Sequence, residues 1–524
     1  MITEDQTEVV TFLASPTTHA GATVERIETH ASIVFLAGTR ALKLKRAVRY
    51  HYLDFSTLAR RRAMCDAEVR VNRRTAPALY RGTVAVTRES DGSLALGGRG
   101  TPVDWLVDMV RFDQDGLFDR LATRGALEIG LMRPLASAIA QFHLAAGRRS
   151  DRGGTSGMIW VVDDNAAGFA DQGAGILDSA ACAAVTSDAR AALERHGALL
   201  DARRDRGLVR ECHGDLHLRN IVLIDGRPTL FDAIEFNDDI ACTDVLYDLA
   251  FLLMDLWRRQ LSRHANAVWN GYMAEVPDLE GVPLLPLFLS CRAAVRAKTS
   301  ATAANLQADP RLRAELQEMA RDYLAMAQKL LRPPAPCLIA VGGLSGSGKS
   351  TLALALAPLV GAVPGALVLR SDEIRKQLCS VAPLQRLGPE GYTPEISRRV
   401  YATIADRADL AVRGGHAAIV DAVYARPSDR EAIAQRAADA GVPFVGLWLD
   451  APESVLVARS ERRRLDASDA DADVIRRQLA RDTGAIAWHR VEASSTPESV
   501  VQEATAVLRD RLKDGMFRLE SQAA

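Results

Sequence analysis

The clearest chemical pattern in the chain is a phosphate-binding loop. Residues 343–350 read GLSGSGKS and follow the apolar run 337–341. Glycines in such a loop let successive backbone N–H groups surround phosphate oxygens, and the helix that follows adds the positive end of its dipole. The pattern predicts that Lys349 contacts the β- and γ-phosphates and that the Ser350 hydroxyl binds Mg²⁺. We therefore predict ATP contacts from Gly343, Ser345, Gly346, Ser347, Gly348, Lys349, Ser350 and Thr351.

Several polar residues after this loop suit the transfer of a phosphoryl group. Asp372 follows the second apolar run of the region, and ligands of open α/β sheets bind at the carboxyl ends of such strands. Its carboxylate could accept the proton of an incoming hydroxyl, and Arg375 could hold an anionic or polar acceptor. Asp421 ends another apolar run and suits contacts with Mg²⁺-bound water or with the acceptor. The alternative role for Asp372 is a helix N-cap.

Two arginines further on belong to the same prediction. Arg459 and Arg463 lie four residues apart on a predicted helix and therefore share one face of it. The polar stretch 466–473, which reads DASDADAD, follows them and suits a mobile lid. The alternative is that both arginines are solvated helix charges.

These motifs resemble the small P-loop kinases of the gluconate, shikimate and polynucleotide-kinase type. The likeness is greatest to the zeta-toxin and chloramphenicol-phosphotransferase group, with its AAA-type ATP-binding domain, and it covers about 337–513. The resemblance implies that Asp372 is the catalytic base. It also implies that Arg459 and Arg463 stabilise the phosphoryl group during transfer.

A second constellation lies in the first half of the chain. Residues 212–220 read CHGDLHLRN, and a turn at Asp225-Gly226 separates them from Asp232. The spacing places Asp215 where it could orient and deprotonate a substrate hydroxyl, and Asn220 where it could bind Mg²⁺. Asp232, on the next predicted strand, could supply a second carboxylate to the metal. The alternative is a buried polar network without catalysis.

This second constellation resembles the aminoglycoside phosphotransferase and choline kinase branch of the protein-kinase-like fold. The likeness covers about 20–330 and includes the string DVLYDLA at 244–250. The chain as a whole thus resembles a bifunctional fusion of two kinase-type domains.

The kinase-like resemblance implies further residues of an ATP site. A phosphate-contacting lysine is expected on the third strand, where Lys43 matches the A-x-K pattern and Lys45 is the alternative. Glu68, in the charged helix that follows, is the natural partner of that lysine. Adenine is expected near Met109, on the strand that joins the two lobes. One departure is that 29–32 carries no glycine-rich loop.

The elements that must position these residues change in character at a proline-rich segment. Residues 331–336 read LRPPAP and cannot continue a helix, so we predict a linker there. After it, strand-length apolar runs alternate with amphipathic helices, which predicts an α/β P-loop domain with a parallel sheet over 337–524. Before it, we predict an α+β protein-kinase-like two-lobed domain over 1–330. Its small lobe spans about 20–111 and its helical lobe about 112–330.

The overall composition excludes several classes of function. The chain has 65 basic and 66 acidic residues, for a net charge of −1. It therefore lacks the positive excess that nucleic-acid or anionic-membrane binding requires. The seven cysteines form no CxxC pair, and the acidic N-terminal residues are unlike a signal peptide. We expect a cytoplasmic protein without nucleic-acid or membrane partners.

Together these patterns predict an enzyme, a phosphotransferase with an alcohol group as acceptor and two kinase-type sites. Each site would use ATP and Mg²⁺ and transfer the γ-phosphoryl group to a small-molecule hydroxyl, as in a sugar or polyol. Two alternatives remain. One half could be a nucleotide-binding module that regulates the other, or the chain could be a toxin-like kinase that acts on a sugar nucleotide or a protein. The acceptors and the oligomeric state stay open.

Overall fold

The computed structural model describes residues 2–382, 385–462, 468–513 and 515–518. It forms two compact units, one of Met1–Asp164 and Leu193–Asp255, the other of Asn165–Ala192 and Leu256–Ala524. Within the described ranges, no helix has both the length and the apolar character that crossing a membrane requires. These units are defined by contacts in space, and they do not test the predicted domain boundary at 331–336, which stays a prediction.

The first unit opens with a small α+β region. Its six strands form one antiparallel sheet in the order β1-β2-β3-β6-β4-β5. The elements in chain order are α1 (Thr7–Ala14), β1 (Val24–Glu28), β2 (Ser32–Ala37), β3 (Arg40–Lys45), α2 (Leu58–Asn72), β4 (Tyr80–Arg88), β5 (Leu94–Leu96) and β6 (Thr101–Val110).

Side-chain alternation along β3 decides what each face of this sheet contacts. Leu42 and Leu44 pack in the core that also contains residues of α1. Ala41 packs in the other core, which contains residues of α2. Because side chains alternate with a period of two along a strand, Lys43 and Lys45 share the face of Ala41 and meet α2.

The remainder of this region is mainly helical, and three of its helices include residues on both sides of the unit boundaries given above. Two short antiparallel ribbons, β7 with β10 and β8 with β9, interrupt the helices. A sheet lobe followed by such a helical lobe confirms the predicted protein-kinase-like fold. The elements are α3 (Phe118–Thr123), α4 (Met132–Ala145), α5 (Gly154–Asp171), α6 (Ser179–Asp205), β7 (Val209–Glu211), β8 (Ile221–Ile224), β9 (Arg227–Leu230), α7 (Asp238–Ala241), β10 (Cys242–Asp244) and α8 (Val245–Arg258).

The second unit contains three long helices and an α/β region with a five-stranded sheet. All strand pairs in this sheet are parallel, and its order is β12-β13-β11-β14-β15, which confirms the predicted P-loop fold class. The elements are α9 (Ser262–Glu275), α10 (Leu285–Leu306), α11 (Pro310–Leu330), β11 (Leu338–Gly343), α12 (Lys349–Leu356), β12 (Leu367–Arg370), α13 (Ser371–Leu378), α14 (Pro394–Arg413), β13 (Ala418–Asp421), α15 (Pro427–Asp439), β14 (Phe444–Asp450), α16 (Glu453–Arg462), α17 (Ala472–Leu479), β15 (His489–Glu492) and α18 (Pro497–Arg511).

The strand register brings the predicted site residues of this unit to one edge of the sheet. Val341 on β11 pairs with Asp421 on β13, and Asp421 pairs with Arg370 on β12. The phosphate-binding loop follows β11, and Asp372 follows β12. Since parallel strands present their carboxyl ends at the same edge, all of these residues lie there.

Candidate active sites

The phosphate-binding loop joins β11 to α12, and its glycines have the conformations that the pattern requires. Gly346 and Gly348 have φ angles of 84° and 95°. A Cβ atom at Gly346 would lie 2.4 Å from the carbonyl oxygen of Leu456, so only glycine fits there. Helix α12 begins at Lys349, which places a helix N-terminus directly after the loop. The loop can therefore surround an anion with backbone N–H groups.

The loop lines a large cavity together with other predicted residues. The cavity has a volume of 1210 Å³. The Ser350 Oγ donates a hydrogen bond of 2.5 Å to the Asp421 Oδ2, and the Lys349 Nζ donates to the Leu344 carbonyl oxygen at 3.0 Å. The predicted residues that line this cavity are Ser345, Gly346, Gly348, Lys349, Ser350, Thr351, Asp372, Arg375, Asp421 and Arg459.

Three of the predicted residues stand apart from this lining. Gly343 is buried beneath the loop, where a Cβ atom would lie 2.6 Å from the Leu449 carbonyl oxygen. The Ser347 Oγ is buried and has no hydrogen-bond partner in the part of the chain that the structure describes. Arg463 lies outside the described residues.

Asp372 is the second residue of α13 and faces the cavity. This helix has no capping hydrogen bond from the side chain of its N-cap residue, Arg370. Burial raises the pKa of Asp372, and the nearby carboxylate of Asp421 raises this pKa further, whereas Lys349 opposes the shift. A carboxylate with a raised pKa is a better proton acceptor than an exposed one.

Arg375 lies on the same helix and is buried with few partners. Its Nη1 donates to the Gly391 carbonyl oxygen at 2.8 Å and to the Ser397 Oγ at 3.3 Å, and its guanidinium lies 4.9 Å from the centre of the Tyr392 ring. Among the residues described, no carboxylate forms an ion pair with it, and its Nε has no hydrogen-bond acceptor. An unpaired cation in a cavity wall suits an anionic or polar ligand group.

Arg459, the other predicted arginine, is placed differently. It lies on α16 and also lines the cavity. Its Nη2 donates to the Ser495 carbonyl oxygen at 3.2 Å in an exposed position. The structure thus places Arg459 at the cavity, where its contact is to backbone.

Two further residues contact this site, and sequence reasoning did not single them out. Gln478 on α17 accepts a hydrogen bond from the Ser345 backbone N–H at 2.9 Å and donates to the Ser345 Oγ at 3.0 Å. Asp469, in the stretch interpreted as a lid, accepts from the Lys376 Nζ at 3.2 Å and from the Tyr392 hydroxyl at 3.0 Å. No local pattern marks either residue, because each partner is distant in sequence.

In the first unit, both candidate lysines of β3 bind Glu68. The Lys43 Nζ donates to the Glu68 Oε1 at 2.8 Å and to the Asp232 Oδ1 at 2.5 Å. The Lys45 Nζ donates to the Glu68 Oε2 at 2.6 Å and to the Glu235 Oε1 at 2.5 Å. The side chain of Lys43 is 14% exposed and that of Lys45 is 1% exposed, so only Lys43 reaches solvent appreciably.

The charges in this network stabilise one another. Burial alone would lower the pKa of Lys43, but the carboxylates of Asp232, Glu68 and Glu235 outweigh it and raise that pKa well above its usual value. For Glu68 the signs are reversed: burial alone would raise its pKa, but the two lysines outweigh burial and lower this pKa. Both lysines and Glu68 therefore carry their charges over the physiological pH range.

The predicted base and metal ligands lie together beside this network. The Asp215 Oδ2 accepts from the Asn220 Nδ2 at 2.9 Å and lies 3.2 Å from the His217 Nε2. Asp232 has a φ angle of 61°, and its backbone N–H donates to the Tyr80 hydroxyl at 3.1 Å. The side chains of Asp215 and Asp232 are 36% and 42% exposed, which leaves both carboxylates open to a ligand.

A buried aspartate on α8 supports the backbone just before Asp215. The Asp248 Oδ1 accepts from the Gly214 N–H at 2.8 Å, and its Oδ2 accepts from the His213 N–H at 3.2 Å. His143 is buried, and its Nε2 lies 3.1 Å from the same Oδ2. The sequence showed Asp248 only as part of a family string.

The strands of this unit that were predicted to lie near the nucleotide also have defined contacts. Met109, near the end of β6, is buried and pairs with Ala41 on β3. In the turn between β1 and β2, the Thr29 Oγ1 accepts from the Ser32 N–H at 3.0 Å and donates to the Ser32 carbonyl oxygen at 3.1 Å. This turn, closed by the Thr29 side chain, lies where the kinase-like resemblance implied a glycine-rich loop.

Comparisons with known proteins agree with this architecture. The model of the AAA domain family matches residues 338–483. The chain is 29% identical over 497 residues to an uncharacterized protein of Mycobacterium tuberculosis H37Rv, an alignment that covers 93% of this chain and 95% of that protein. It is also 36% identical over 118 residues to the adenylyl-sulfate kinase of Myxococcus xanthus DK1622, with 22% of this chain and 59% of that protein covered.

Among solved structures, a choline/ethanolamine kinase family protein from Mesorhizobium loti is similar to this chain, with 16% identity and a TM-score of 0.39. The alignment covers 62% of this chain and 95% of that one. The AAA domain match confirms the predicted P-loop domain in the second half of the chain. The mycobacterial alignment extends across both halves.

Proposed function

We propose that this protein is an ATP-dependent phosphotransferase with two kinase-type sites, each of which transfers the γ-phosphoryl group of Mg-ATP to a small-molecule hydroxyl, as in a sugar or polyol. The observation that carries the proposal is the cavity of the second unit. It is lined by Lys349, Ser350, Asp372 and Asp421, so that an ammonium group, two oxygen donors suited to a metal and a buried carboxylate meet in one place. Phosphoryl transfer depends mainly on such positioning and charge neutralisation.

The donor atoms of this cavity fit a magnesium ion. The Ser350 hydroxyl and the Asp421 carboxylate are hard oxygen donors 2.5 Å apart, and Mg²⁺ prefers oxygen ligands. When bound with ATP, the ion would neutralise phosphate charge. In the proposed reaction, Lys349 holds the β- and γ-phosphates, Asp372 accepts the proton of the acceptor hydroxyl, and Arg375 holds an anionic or polar group of the acceptor.

Corresponding roles are proposed for the first unit. Asp215 accepts the hydroxyl proton, and Asn220 and Asp232 supply oxygen ligands to a metal. Lys43 is proposed as the phosphate lysine, because it is more exposed than Lys45 and already contacts Asp232. Lys45 then serves to hold Glu68 in place from within the core.

A screen of ATP consumption tests the proposal. The full chain is assayed with sugars, polyols, nucleosides and aminoglycosides as acceptors, alongside Asp215→Asn, Lys349→Ala and the double variant. Two independent sites are supported if Asp215→Asn removes ADP formation with one acceptor and Lys349→Ala removes it with a different acceptor. Absence of acceptor-dependent ADP formation across all of these classes contradicts the proposal.

The same variants distinguish independent sites from regulation of one by the other. If the P-loop half regulates the first unit, Lys349→Ala changes both rates, and ATP binding at the two sites becomes reciprocally coupled. We expect independence, because each half contains a base, metal ligands and a phosphate lysine. A folded Lys349→Ala protein that is inactive in both reactions would contradict independence.

A further inference from the structure

Helix α9 precedes the predicted linker in sequence, yet it binds the edge of the parallel sheet within the second unit. Strand β12 is an edge strand, so one side of its backbone lacks a neighbouring strand. The Asn270 Oδ1 accepts from the Val368 N–H at 2.7 Å, and the Asn270 Nδ2 donates to the Ala366 carbonyl oxygen at 3.2 Å. The Asn266 Nδ2 donates to the carbonyl oxygens of Ala366 at 3.1 Å and Pro364 at 3.2 Å.

The two asparagines reproduce the hydrogen bonds of a neighbouring strand. They lie four residues apart, so they share one face of α9. The N–H of Leu367 donates into the sheet, whereas the N–H of Val368 and the carbonyl of Ala366 point the other way, as alternation along a strand requires. Each side-chain amide offers both a donor and an acceptor, so these two residues satisfy backbone groups that would otherwise be buried without partners.

The same helix also contacts the far end of α13. Helix α13 begins at the residue that follows β12 and carries Asp372 in its first turn. Near its other end, the Gln377 Nε2 donates to the Ala274 carbonyl oxygen of α9 at 2.6 Å. The Gln377 Oε1 accepts from the Arg407 Nη1 at 2.8 Å. Helix α9 therefore contacts the chain on both sides of Asp372, at β12 before it and near the end of α13 after it.

The packing between these elements leaves little freedom. The cavity between α9, β12 and α13 has a volume of 20 Å³, which is room for about one water molecule. Trp269, in the middle of α9, is fully buried and packs with its ring centre 5.7 Å from that of His416. This packing holds α9 itself in place, so that its hydrogen bonds to β12 and α13 start from a fixed element.

We propose that Asn266 and Asn270 are positioning residues of the P-loop kinase, which hold β12 and α13 so that Asp372 stays in place for phosphoryl transfer. The inference rests on the proposed function, because it concerns the base of that same site. The ATP-binding loop lies at the centre of the sheet, between β11 and α12. Loss of the α9 contacts should therefore slow transfer without weakening ATP binding.

The test uses the full chain with Asp215→Asn, so that turnover comes from the P-loop site. The reaction measured is ATP hydrolysis, with water as the acceptor. Asn270→Ala removes the hydrogen bonds of this side chain to Val368 of β12 and to Ala366 just before the strand. Gln377→Glu removes the donor to Ala274 but keeps an acceptor for Arg407. Because misplacing a catalytic group by about 1 Å can cost up to about 100-fold, we expect each variant to lower kcat by about 10-fold or more and to change the KM for ATP by less than about two-fold.

Amide hydrogen exchange gives a second readout. Both variants should accelerate exchange over 371–378 and leave 349–356 unchanged. The matched control is Asn305→Ala, which removes an exposed hydrogen bond from Asn305 to the Gln172 carbonyl oxygen, 2.9 Å long, and should change neither readout.

Other outcomes overturn the proposal. A wild-type kcat in both variants contradicts the proposal. A parallel loss of kcat and ATP affinity with faster exchange in 349–356 also contradicts it, because it would show that the whole P-loop region is destabilised. If the unsubstituted P-loop site does not turn over ATP, the proposed function fails. Hydrogen exchange then still decides whether α9 holds α13, since unchanged exchange over 371–378 in both variants contradicts it.

Discussion

The lysines that we propose as phosphate ligands in the two candidate sites form hydrogen bonds of very different sequence range. Lys349 donates to the carbonyl oxygen of Leu344, five residues earlier in the same loop. Lys43 binds Glu68 and Asp232, which are 25 and 189 residues away. A strand, a helix and a hairpin must therefore assemble before Lys43 has its partners, whereas the loop around Lys349 is built from consecutive residues. We expect the first site to depend more strongly on the stability of its unit.

The two proposed bases differ in a corresponding way. Asp215 is partly exposed and bonded to Asn220, which belongs to the same short segment. Asp372 faces a cavity in which burial and the carboxylate of Asp421 raise its pKa. The first unit thus orients its base by hydrogen bonds, and the second adjusts the proton affinity of its base through burial and charge.

The largest expected effect tests the base of the first unit. Asp215→Asn should lower its turnover by about 10²- to 10⁴-fold, because the amide cannot accept the hydroxyl proton, and should leave ATP affinity nearly unchanged. Steady-state kinetics and nucleotide titration check this. The matched control is Asp225→Asn, at the exposed hairpin turn, which should retain activity. Wild-type turnover in Asp215→Asn would remove the catalytic assignment.

The next prediction concerns pH dependence at the P-loop site. Transfer requires the ionised Asp372, so activity is present above the pKa of this group and is lost as the pH falls through it. Because this pKa is raised above its usual value of 3.8, the acid limb of kcat/KM should lie at higher pH than for an exposed aspartate. Asp372→Asn should lower kcat by about 10²-fold and abolish that limb. An unchanged acid limb in Asp372→Asn would assign it to another group.

A stability measurement sharpens the contrast between long-range and local contacts. Glu235→Gln leaves Lys45 buried with one fewer carboxylate partner, and breaking a buried ion pair costs about 3–5 kcal/mol in the free energy of unfolding. Urea unfolding of the full chain should show this loss in the transition of the first unit. ATP binding by the P-loop site should be retained. Equal destabilisation of both units would contradict the comparison.

The smallest expected effect is at the phosphate-binding loop itself. Gln478→Ala removes two hydrogen bonds to Ser345, each worth about 1 kcal/mol at most in net stability, and should weaken ATP binding by about five-fold. Nucleotide titration checks this. Gln435→Ala, which removes an exposed bond to Asp439, is the control. Unchanged or tighter ATP binding in Gln478→Ala would show that the loop holds its shape without α17.

Much of the α/β region was predictable because its signals are local. The amphipathic helices predicted after the linker occur, for example as Pro394–Arg413 and Pro427–Asp439, and the apolar run before Asp372 forms the strand Leu367–Arg370. Helix α13 has a weaker local signal, because it is only eight residues long and mostly polar. In the first unit, β2 is an almost continuous apolar run and β3 alternates leucine with lysine, so both strands have local signals.

The sequence by itself determined the contacts that act over a few residues. The glycines and Lys349 of the loop, the spacing of Asp215 and Asn220, and the alternation that puts Lys43 and Lys45 on one face all follow from local geometry. These features could be predicted because neighbours along the chain stay neighbours in the fold.

Only the tertiary structure decided the partners that come from distant segments. It showed that Glu68 binds both lysines, that Asp248 holds the backbone before Asp215, and that Asn270 completes the edge of β12. An isolated glutamate, aspartate or asparagine on a helix has no sequence pattern that names its partner. Such a side chain acquires a role only when folding buries it beside an unsatisfied charge or backbone group, because burial makes that contact necessary.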